Sequence, residues 1–143
     1  MASSGRSQAT NTSILNFILG KAAYTAPAGA YVALFSATPT NDQGPWTELT
    51  GGNYARAPIG AGTNLPADWT SLASDATGTH KTNTAAITFP TASAGWTAAT
   101  GYGIYDSSSA GTLLYWGTFG SATTVGSGAT ASFAAQALVV TEA

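Results

Sequence analysis

Histidine and carboxylate side chains carry most acid–base chemistry in proteins, and this sequence holds few of them. His80 is the only histidine, so a Ser-His-Asp arrangement would have to include it, yet no Gly-x-Ser-x-Gly elbow presents a serine nucleophile. Asp68 and Asp75 lie in the same segment as His80, and paired carboxylates can hydrolyse glycosides. Nothing in their spacing indicates such a pair, so we expect an exposed loop histidine, solvated carboxylates and no catalytic residues.

Motifs for metals and cofactors are missing from the sequence as well. The chain has no cysteine, which excludes disulfides, zinc-thiolate sites and thiol nucleophiles. Asp42 and Glu48 are too sparse for a calcium loop, and no glycine-rich segment is followed by Lys-Ser/Thr at the spacing of a phosphate-binding loop. We therefore expect no metal and no cofactor, and we predict that the protein is not an enzyme.

The low charge of the chain excludes further classes of partner. Charged residues make up only 7% of the 143 residues, and the net charge is −2. No basic stripe is present to neutralise phosphates, so we expect no nucleic-acid partner. The apolar stretch at residues 14–19 is far shorter than the roughly 20 residues of a membrane span, and the polar first ten residues do not indicate a signal peptide. We therefore expect no membrane contact.

A weakly charged surface also predicts that partners cover part of it, because free monomers usually stay soluble through charge. We interpret the chain as a subunit of an assembly and expect a homo-oligomer, either a trimer or a dimer. Four residues are candidate contacts with neighbouring chains: Arg6, Trp46, Arg56 and Trp69.

Each candidate contact has a simpler interpretation beside it. Trp46 and Trp69 lie on two long predicted loops, residues 37–53 and 60–84, where each would either cap the domain core or anchor an interface. Arg56 lies in a predicted strand, where it is either exposed or paired with a carboxylate of its own or a neighbouring chain. Arg6 lies in a polar segment that we expect a partner chain to hold in place.

The sequence divides into a polar N-terminal arm, residues 1–11, and a β-rich domain, residues 12–143. Asn11, Thr12 and Ser13 are all acceptable N-caps for a helix that we predict over residues 12–23. Apolar residues 14, 15, 18 and 19 follow helical spacing, so we expect this face of the helix to pack on a sheet.

Strands are predicted where short apolar or alternating runs end at glycine, proline or polar turns. The strongest signal is a hairpin of residues 98–105 and 112–119. The other predicted strands are residues 30–35, 54–59, 85–89, 123–125, 130–133 and 137–141. Short strands with Gly-rich turns after one helix predict a mainly β fold, a single β-sandwich or jelly-roll-like domain with one short N-terminal helix.

An ordered set of motifs connects these strands to a known family. The motifs are YVALFSATP (31–39), GGNYAR (51–56), TNTAAITFP (82–90), GIYD (103–106), LLYWG (113–117), SFAA (132–135) and ALVV (137–140). Over residues 12–141 their order resembles a family of small virion structural proteins of tailed bacteriophages, often described as tail-fibre-like. The segment 60–81 is longer than the family pattern.

The resemblance implies a non-enzymatic component of the virion. We expect a head decoration or cement protein whose partner is the major capsid protein, because the low charge, the polar arm and the small single domain suit a clamp between capsid subunits. The alternative is a tail or tail-fibre component involved in host attachment. From a different class, a carbohydrate-binding module would present Trp46, Trp69 and Tyr54 on a β-sandwich.

Overall fold

A long antiparallel hairpin forms the centre of the structure, a computed structural model that describes residues 4–20, 22–37, 46–76 and 78–142. In chain order the elements are β1 (Ser4–Arg6), α1 (Gln8–Ile18), β2 (Tyr31–Phe35), β3 (Ala57–Pro58), a 3₁₀ turn (Pro66–Asp68), β4 (Ala73–Asp75), β5 (Gly78–Thr82), β6 (Ile87–Thr88), β7 (Trp96–Tyr105), β8 (Leu113–Val125), β9 (Ser132–Phe133) and β10 (Val139–Glu142). The described strands pair in the orders β1-β8-β7-β2-β3, β10-β5-β4 and β6-β9.

The central hairpin consists of β7 and β8, which are rich in the aromatic and β-branched residues that suit a pleated, half-buried surface. Its turn is closed by Asp106, whose N–H donates to the Thr112 carbonyl at 3.2 Å and whose Oδ1 accepts the Thr112 N–H at 2.7 Å. The hairpin predicted from the sequence is confirmed. Residues 123–125, predicted as a separate strand, form the end of β8, where Val125 pairs with Trp96.

One face of the five-stranded sheet packs against the two smaller sheets. Val32, Leu34 and Ile104 of the large sheet share a buried cluster with Ile87 of β6 and with Leu138, the residue before β10. Alternate residues of a strand point to opposite faces, so Ala33 and Phe35 lie on the other face of β2. There they form a smaller cluster with Leu113 and Trp116. The prediction of a mainly β fold with one short N-terminal helix is confirmed.

Asn83 is a buried polar residue that joins two parts of this core. It has no exposed surface, and its side-chain amide donates to the carbonyls of Ala85 at 2.7 Å and Ala134 at 2.8 Å. Its Oδ1 accepts the Leu138 N–H at 2.9 Å. Because all of these groups are satisfied, the amide can be buried without a desolvation penalty, and it holds the segment before β10 against the end of β5.

Two sequence-based boundaries are wrong. The helix begins at Gln8, not residue 12, because the Ser7 hydroxyl accepts the Thr10 N–H at 3.2 Å and caps the first turn. It ends at Ile18, and Gly20 adopts a left-handed φ of 71°. Residues 60–84, predicted as a loop, contain the 3₁₀ turn, β4 and β5. The sequences of these elements, PAD, ASD and GTHKT, show no alternation of large apolar residues.

Residues 4–11 of the predicted arm lie against the domain itself. β1 pairs with β8 from Ser4 opposite Gly117 to Arg6 opposite Tyr115, and residues 8–11 form the first turn of α1. Residues 1–3 lie outside the described residues, as do residues 38–45 of the predicted loop 37–53, with Asp42 among them. The division into an arm of residues 1–11 and a domain of residues 12–143 stays a prediction.

The prediction that the apolar face of the helix packs on a sheet is wrong. Leu15, Ile18 and Leu19 are 57%, 68% and 70% exposed, and Thr10 is the only buried residue of α1. The physical reason is the position of the anchor. The Ser7 N–H donates to the Leu114 carbonyl at 2.9 Å, and the Ser7 hydroxyl donates to the Leu113 carbonyl. Only the start of the helix is therefore held against the sheet.

Two glycines of the central hairpin give a matched test of its packing. A Cβ at Gly103 would lie 2.5 Å from Phe35 Cζ and 2.7 Å from Leu113 Cδ1, whereas a Cβ at Gly120 would meet nothing within 4 Å. We expect Gly103→Ala to lower the free energy of unfolding by about 1–3 kcal/mol through overpacking. Gly120→Ala should leave it unchanged or raise it. Denaturant unfolding measures both, and equal effects would contradict the packing described.

Candidate interaction surface

Arg56 organises the end of the molecule that holds the hairpin turn. Its guanidinium donates to both carboxylate oxygens of Glu48, at 2.9 Å and 2.8 Å, and to the turn carbonyls of Ser107 at 2.9 Å and Ala110 at 2.7 Å. The guanidinium carbon lies 3.6 Å from the centroid of the Tyr105 ring. The side chain is only 7% exposed, so this fork-to-fork pair is an internal clamp between the turn and the segment before β3.

The surroundings of the clamp determine the protonation states of Arg56 and of the neighbouring Tyr54. Burial acts to lower the pKa of Arg56, but the hydrogen bonds and charge of Glu48 outweigh it and raise that pKa. Burial, assisted by Glu48, raises the pKa of Tyr54. The Tyr54 hydroxyl accepts the Leu34 N–H at 2.8 Å and donates to Glu48 at 3.2 Å. Arg56 therefore stays charged and Tyr54 stays neutral at physiological pH.

The two arginines predicted as contacts both have partners within the chain. Arg56 pairs with a carboxylate of its own chain, which was one of the two alternatives for it. Arg6 Nε lies 2.8 Å from Glu142 Oε2, so this ion pair joins β1 to β10. Its two side chains are 31% and 37% exposed. A role for either arginine in contacts with neighbouring chains stays a prediction.

The two predicted tryptophan anchors are half-buried against their own domain. The Trp46 ring centroid lies 5.8 Å from that of Phe35 and 5.6 Å from that of Trp116. Trp69 packs against the main core, and its Nε1 donates to Asn64 Oδ1 at 3.1 Å. Both side chains therefore help to cap the core, and their role as interface anchors stays a prediction.

Of the residues considered for catalysis, the structure brings two, His80 and Asp75, close together. His80 Nδ1 lies 3.9 Å from Asp75 Oδ2 across the β4–β5 hairpin. Asp68 is used locally, because its Oδ2 accepts the Leu65 N–H at 2.8 Å at the start of the 3₁₀ turn. In the described ranges, no three histidine or carboxylate side chains come close enough together to hold a metal ion.

An open cavity of about 310 Å³ lies between the start of α1, β5 and β10. Its apolar and aromatic lining includes Tyr24, Trp69, Leu72, Leu114, Tyr115 and Val140. The side chains of His80, Lys81 and Glu142 add ionisable groups to it. A second depression of about 340 Å³ shares Thr10, Tyr24 and Leu114 with it. The region beside the helix is therefore concave and largely apolar, which is typical of a surface that receives a partner.

Next to this cavity lies an exposed apolar surface that we call the helix stripe, formed by Leu15, Phe17, Ile18, Leu19 and Tyr24. These side chains are between 40% and 70% exposed, and the rings of Phe17 and Tyr24 lie 6.1 Å apart. Residues 8–18 contain no charged side chain. The apolar spacing of residues 14, 15, 18 and 19 predicted a face that packs on a sheet, but three of these side chains are exposed. Phe17 lies outside the predicted face, so apolar residues extend around more of the helix than one sheet can cover. This wide distribution could have indicated an exposed helix from the sequence.

No helix in the described part of the chain combines the length and the hydropathy that crossing a bilayer requires. What these residues define is a β-rich protein that exposes an uncharged apolar helix and brings together no recognised catalytic set. A family profile described as podophage GP4 fiber I protein gp80 matches residues 5–141, and the chain belongs to this family. A search of curated proteins finds no match.

The family match confirms the resemblance to virion structural proteins of tailed phages and the expected location in the virion. It covers nearly the whole chain, including the segment 60–81 that is longer than the pattern recognised in the sequence. The description of the family as a fibre protein favours the alternative of a fibre component over the expected capsid decoration. It also indicates that other virion proteins are partners.

The Arg56 clamp predicts a large difference between two arginine variants. Arg56→Met leaves the Glu48 carboxylate and two turn carbonyls without their donor, so we expect a loss of about 3 kcal/mol in the free energy of unfolding. Arg6→Met, which breaks a half-exposed pair, should cost at most about 1 kcal/mol. Adding Glu48→Gln to Arg56→Met should recover part of the loss. Urea unfolding of the wild type, the two single variants and the double variant measures these free energies. A similar loss of stability for Arg56→Met and Arg6→Met would contradict an internal clamp.

The raised pKa values of two partly buried tyrosines predict a loss of stability at alkaline pH. The unfolded chain ionises tyrosine near pH ~10, whereas the folded chain keeps Tyr54 and Tyr115 protonated to higher pH. Their contribution to stability is therefore complete below pH ~10 and is lost as the pH rises through the folded-state pKa values. In that window Tyr54→Phe should reduce the slope of unfolding free energy against pH by about 1.4 kcal/mol per unit. If denaturant titrations above pH ~10 give the same slope for Tyr54→Phe as for the wild type, the raised pKa of Tyr54 is refuted.

Proposed function

We propose that the protein is a non-enzymatic structural component of the phage tail fibre, involved in attachment to the host and joined to other virion proteins. The observation that carries the proposal is the match to a fibre protein family over residues 5–141. The weakly charged surface and the exposed apolar helix stripe support a subunit whose role is contact with other proteins.

The uses of the acidic side chains support a non-enzymatic role. Glu48 is engaged by Arg56, Glu142 pairs with Arg6, and Asp68 caps the 3₁₀ turn. A catalytic acid or base needs a proton-transfer partner in reach of a substrate and a pKa suited to the task. These carboxylates instead stabilise the fold, which is the use expected in a structural subunit.

The geometry of the aromatic rings does not favour a carbohydrate-binding module. Such a module needs exposed ring faces on which a sugar can stack. Trp46 lies between Phe35 and Trp116, and Tyr54 packs against Phe89 at 6.2 Å and Trp96 at 5.3 Å between ring centroids. Each of these rings is half-buried and already covered on at least one side by its own domain.

Copy number and position in the particle test the proposal. Purified virions would be analysed by quantitative mass spectrometry of this chain against the major capsid protein, and a C-terminally tagged chain would be located by gold labelling. We expect copies far fewer than those of the capsid protein, with label at the tail; untagged virions control for unspecific label. A fixed ratio near that of the capsid protein, with label over the head, would restore the capsid decoration, and absence from particles would refute both.

A further inference from the structure

The open cavity between the start of α1, β5 and β10 combines an apolar interior with a wall held in place by hydrogen bonds. Ile104, which is 2% exposed, and half-buried Val140 contribute apolar surface to it. On another side, Trp69 Nε1 donates to Asn64 Oδ1 at 3.1 Å, and Asn64 Nδ2 donates to the Pro27 carbonyl at 3.0 Å. The volume of about 310 Å³ lies at the lower end of the roughly 300–1,000 Å³ of ligand pockets, so the cavity accepts a small group.

Two neighbouring strands bring opposite charges to this cavity. In the ladder between β5 and β10, Lys81 lies opposite Val140, and Thr79 lies opposite Glu142. Residues directly opposite each other share a face of the sheet, and so do residues two apart on a strand, so these four side chains lie on one face. All four residues line the cavity. Lys81 and Glu142 are diagonal neighbours on this face, which places a hydrogen-bond donor next to an acceptor.

Lys81 carries a charge of the cavity that the chain itself does not neutralise. Glu142 Oε2 lies 2.8 Å from Arg6 Nε. His80 Nδ1 lies 3.9 Å from Asp75 Oδ2. Within the described part of the chain, no ion pair joins Lys81 to a carboxylate, although Lys81 is half-buried. A half-buried ammonium group without a counter-ion favours a negatively charged ligand over a neutral or positive one.

We propose that the cavity binds the C-terminal residue of another protein of the virion, one that ends in an apolar side chain such as that of leucine. The ligand carboxylate accepts hydrogen bonds from the Lys81 ammonium group, and the ligand side chain packs beside Ile104. The last amide N–H of the ligand donates to the Glu142 carboxylate. The inference rests on the proposed function, which supplies other virion proteins as partners, and it names the segment through which one of them is held.

A chain terminus fits this lining better than other ligands of the same size. In a C-terminal residue the carboxylate and the N–H are attached to the same Cα, so an adjacent donor and acceptor on the protein can bind both. An apolar ligand without a charge would cover the Lys81 ammonium group and leave it unpaired, which is costly. A carboxylic acid without an amide would leave Glu142 without a donor from the ligand. Because the cavity is open, the preceding residues of a bound chain can leave it towards solvent.

Matched peptides test the inference on the full chain, with binding followed in ¹H–¹⁵N correlation NMR spectra. The probes are N-acetyl-alanyl-leucine and the same dipeptide with its carboxylate converted to an amide. We expect the acid to shift the Trp69 indole signal and the backbone signals of residues 79–81. We expect it to bind at least about tenfold more tightly than the amide, because the amide cannot form the charged hydrogen bond to Lys81.

Variants of Lys81 separate this contact from general binding to the cavity. Lys81→Gln should bind the acid and the amide with affinities within about twofold of each other, whereas Lys81→Arg keeps the charge and should keep the preference for the acid. Leu65→Gln, at a 52% exposed leucine outside the cavity lining, is the control and should leave both affinities unchanged. Circular dichroism and thermal unfolding confirm that each variant folds.

A third probe, 4-methylpentanoate, has the carboxylate and the side chain of leucine without the amide, and it should bind more weakly than the dipeptide. Equal affinity would identify a free organic acid as the ligand and overturn the assignment to a chain terminus. Absence of the shifts, equal affinities of acid and amide for the wild type, or an undiminished preference in Lys81→Gln would overturn the inference as well. If the chain lies in the tail but shows no preference, only this inference fails. If the preference is present but the chain is absent from virions, the proposed function fails, and with it the virion source of the peptide.

Discussion

The paired hydrogen bonds between Arg56 and Glu48 tie the segment before β3 to the turn of the β7–β8 hairpin, in addition to the ladders that already join β2, β7 and β8. Glu48 bridges to Phe35 at the end of β2, and the other donors of Arg56 hold the carbonyls of the β7–β8 turn. Tyr54 adds a bond to Leu34 within β2. Because the guanidinium is buried on the Tyr105 ring, removing either partner leaves a charge unpaired in a largely buried site, which is strongly destabilising.

Most of the charged side chains that the structure describes make contacts within the chain. Both described arginines are in ion pairs within the chain, one internal and one joining β1 to β10. Among the described residues, the exposed large apolar side chains include those of the helix stripe. Such a surface suits a subunit that works inside an assembly, because contacts between neutral surfaces require no charge to be desolvated. Membership of a phage fibre family agrees with this distribution.

Much of the fold could be predicted because its signals are local. The β7–β8 hairpin follows from aromatic and β-branched runs on either side of a polar turn, and β2 from an apolar run at residues 31–35. The β4–β5 hairpin could not be found, since its strands, ASD and GTHKT, contain no large apolar residue that would give an alternating pattern. The start of the helix was predicted four residues too late. Ser7 caps the first turn by accepting the Thr10 N–H, and its bonds to β8, which the sequence does not reveal, hold it in place.

The sequence by itself determined the class of protein: composition and motif order indicated a mainly β virion protein without metal or cofactor motifs. Only the tertiary structure decided where each candidate residue points. Trp46 and Trp69 pack against their own domain, and Arg56 pairs with the carboxylate of Glu48. Ile18, in contrast, remains exposed. Helical spacing shows that a face is apolar, but it carries no information on whether a sheet of the same chain or another molecule covers it. That depends on where the ends of the helix are attached, which is a property of the folded chain.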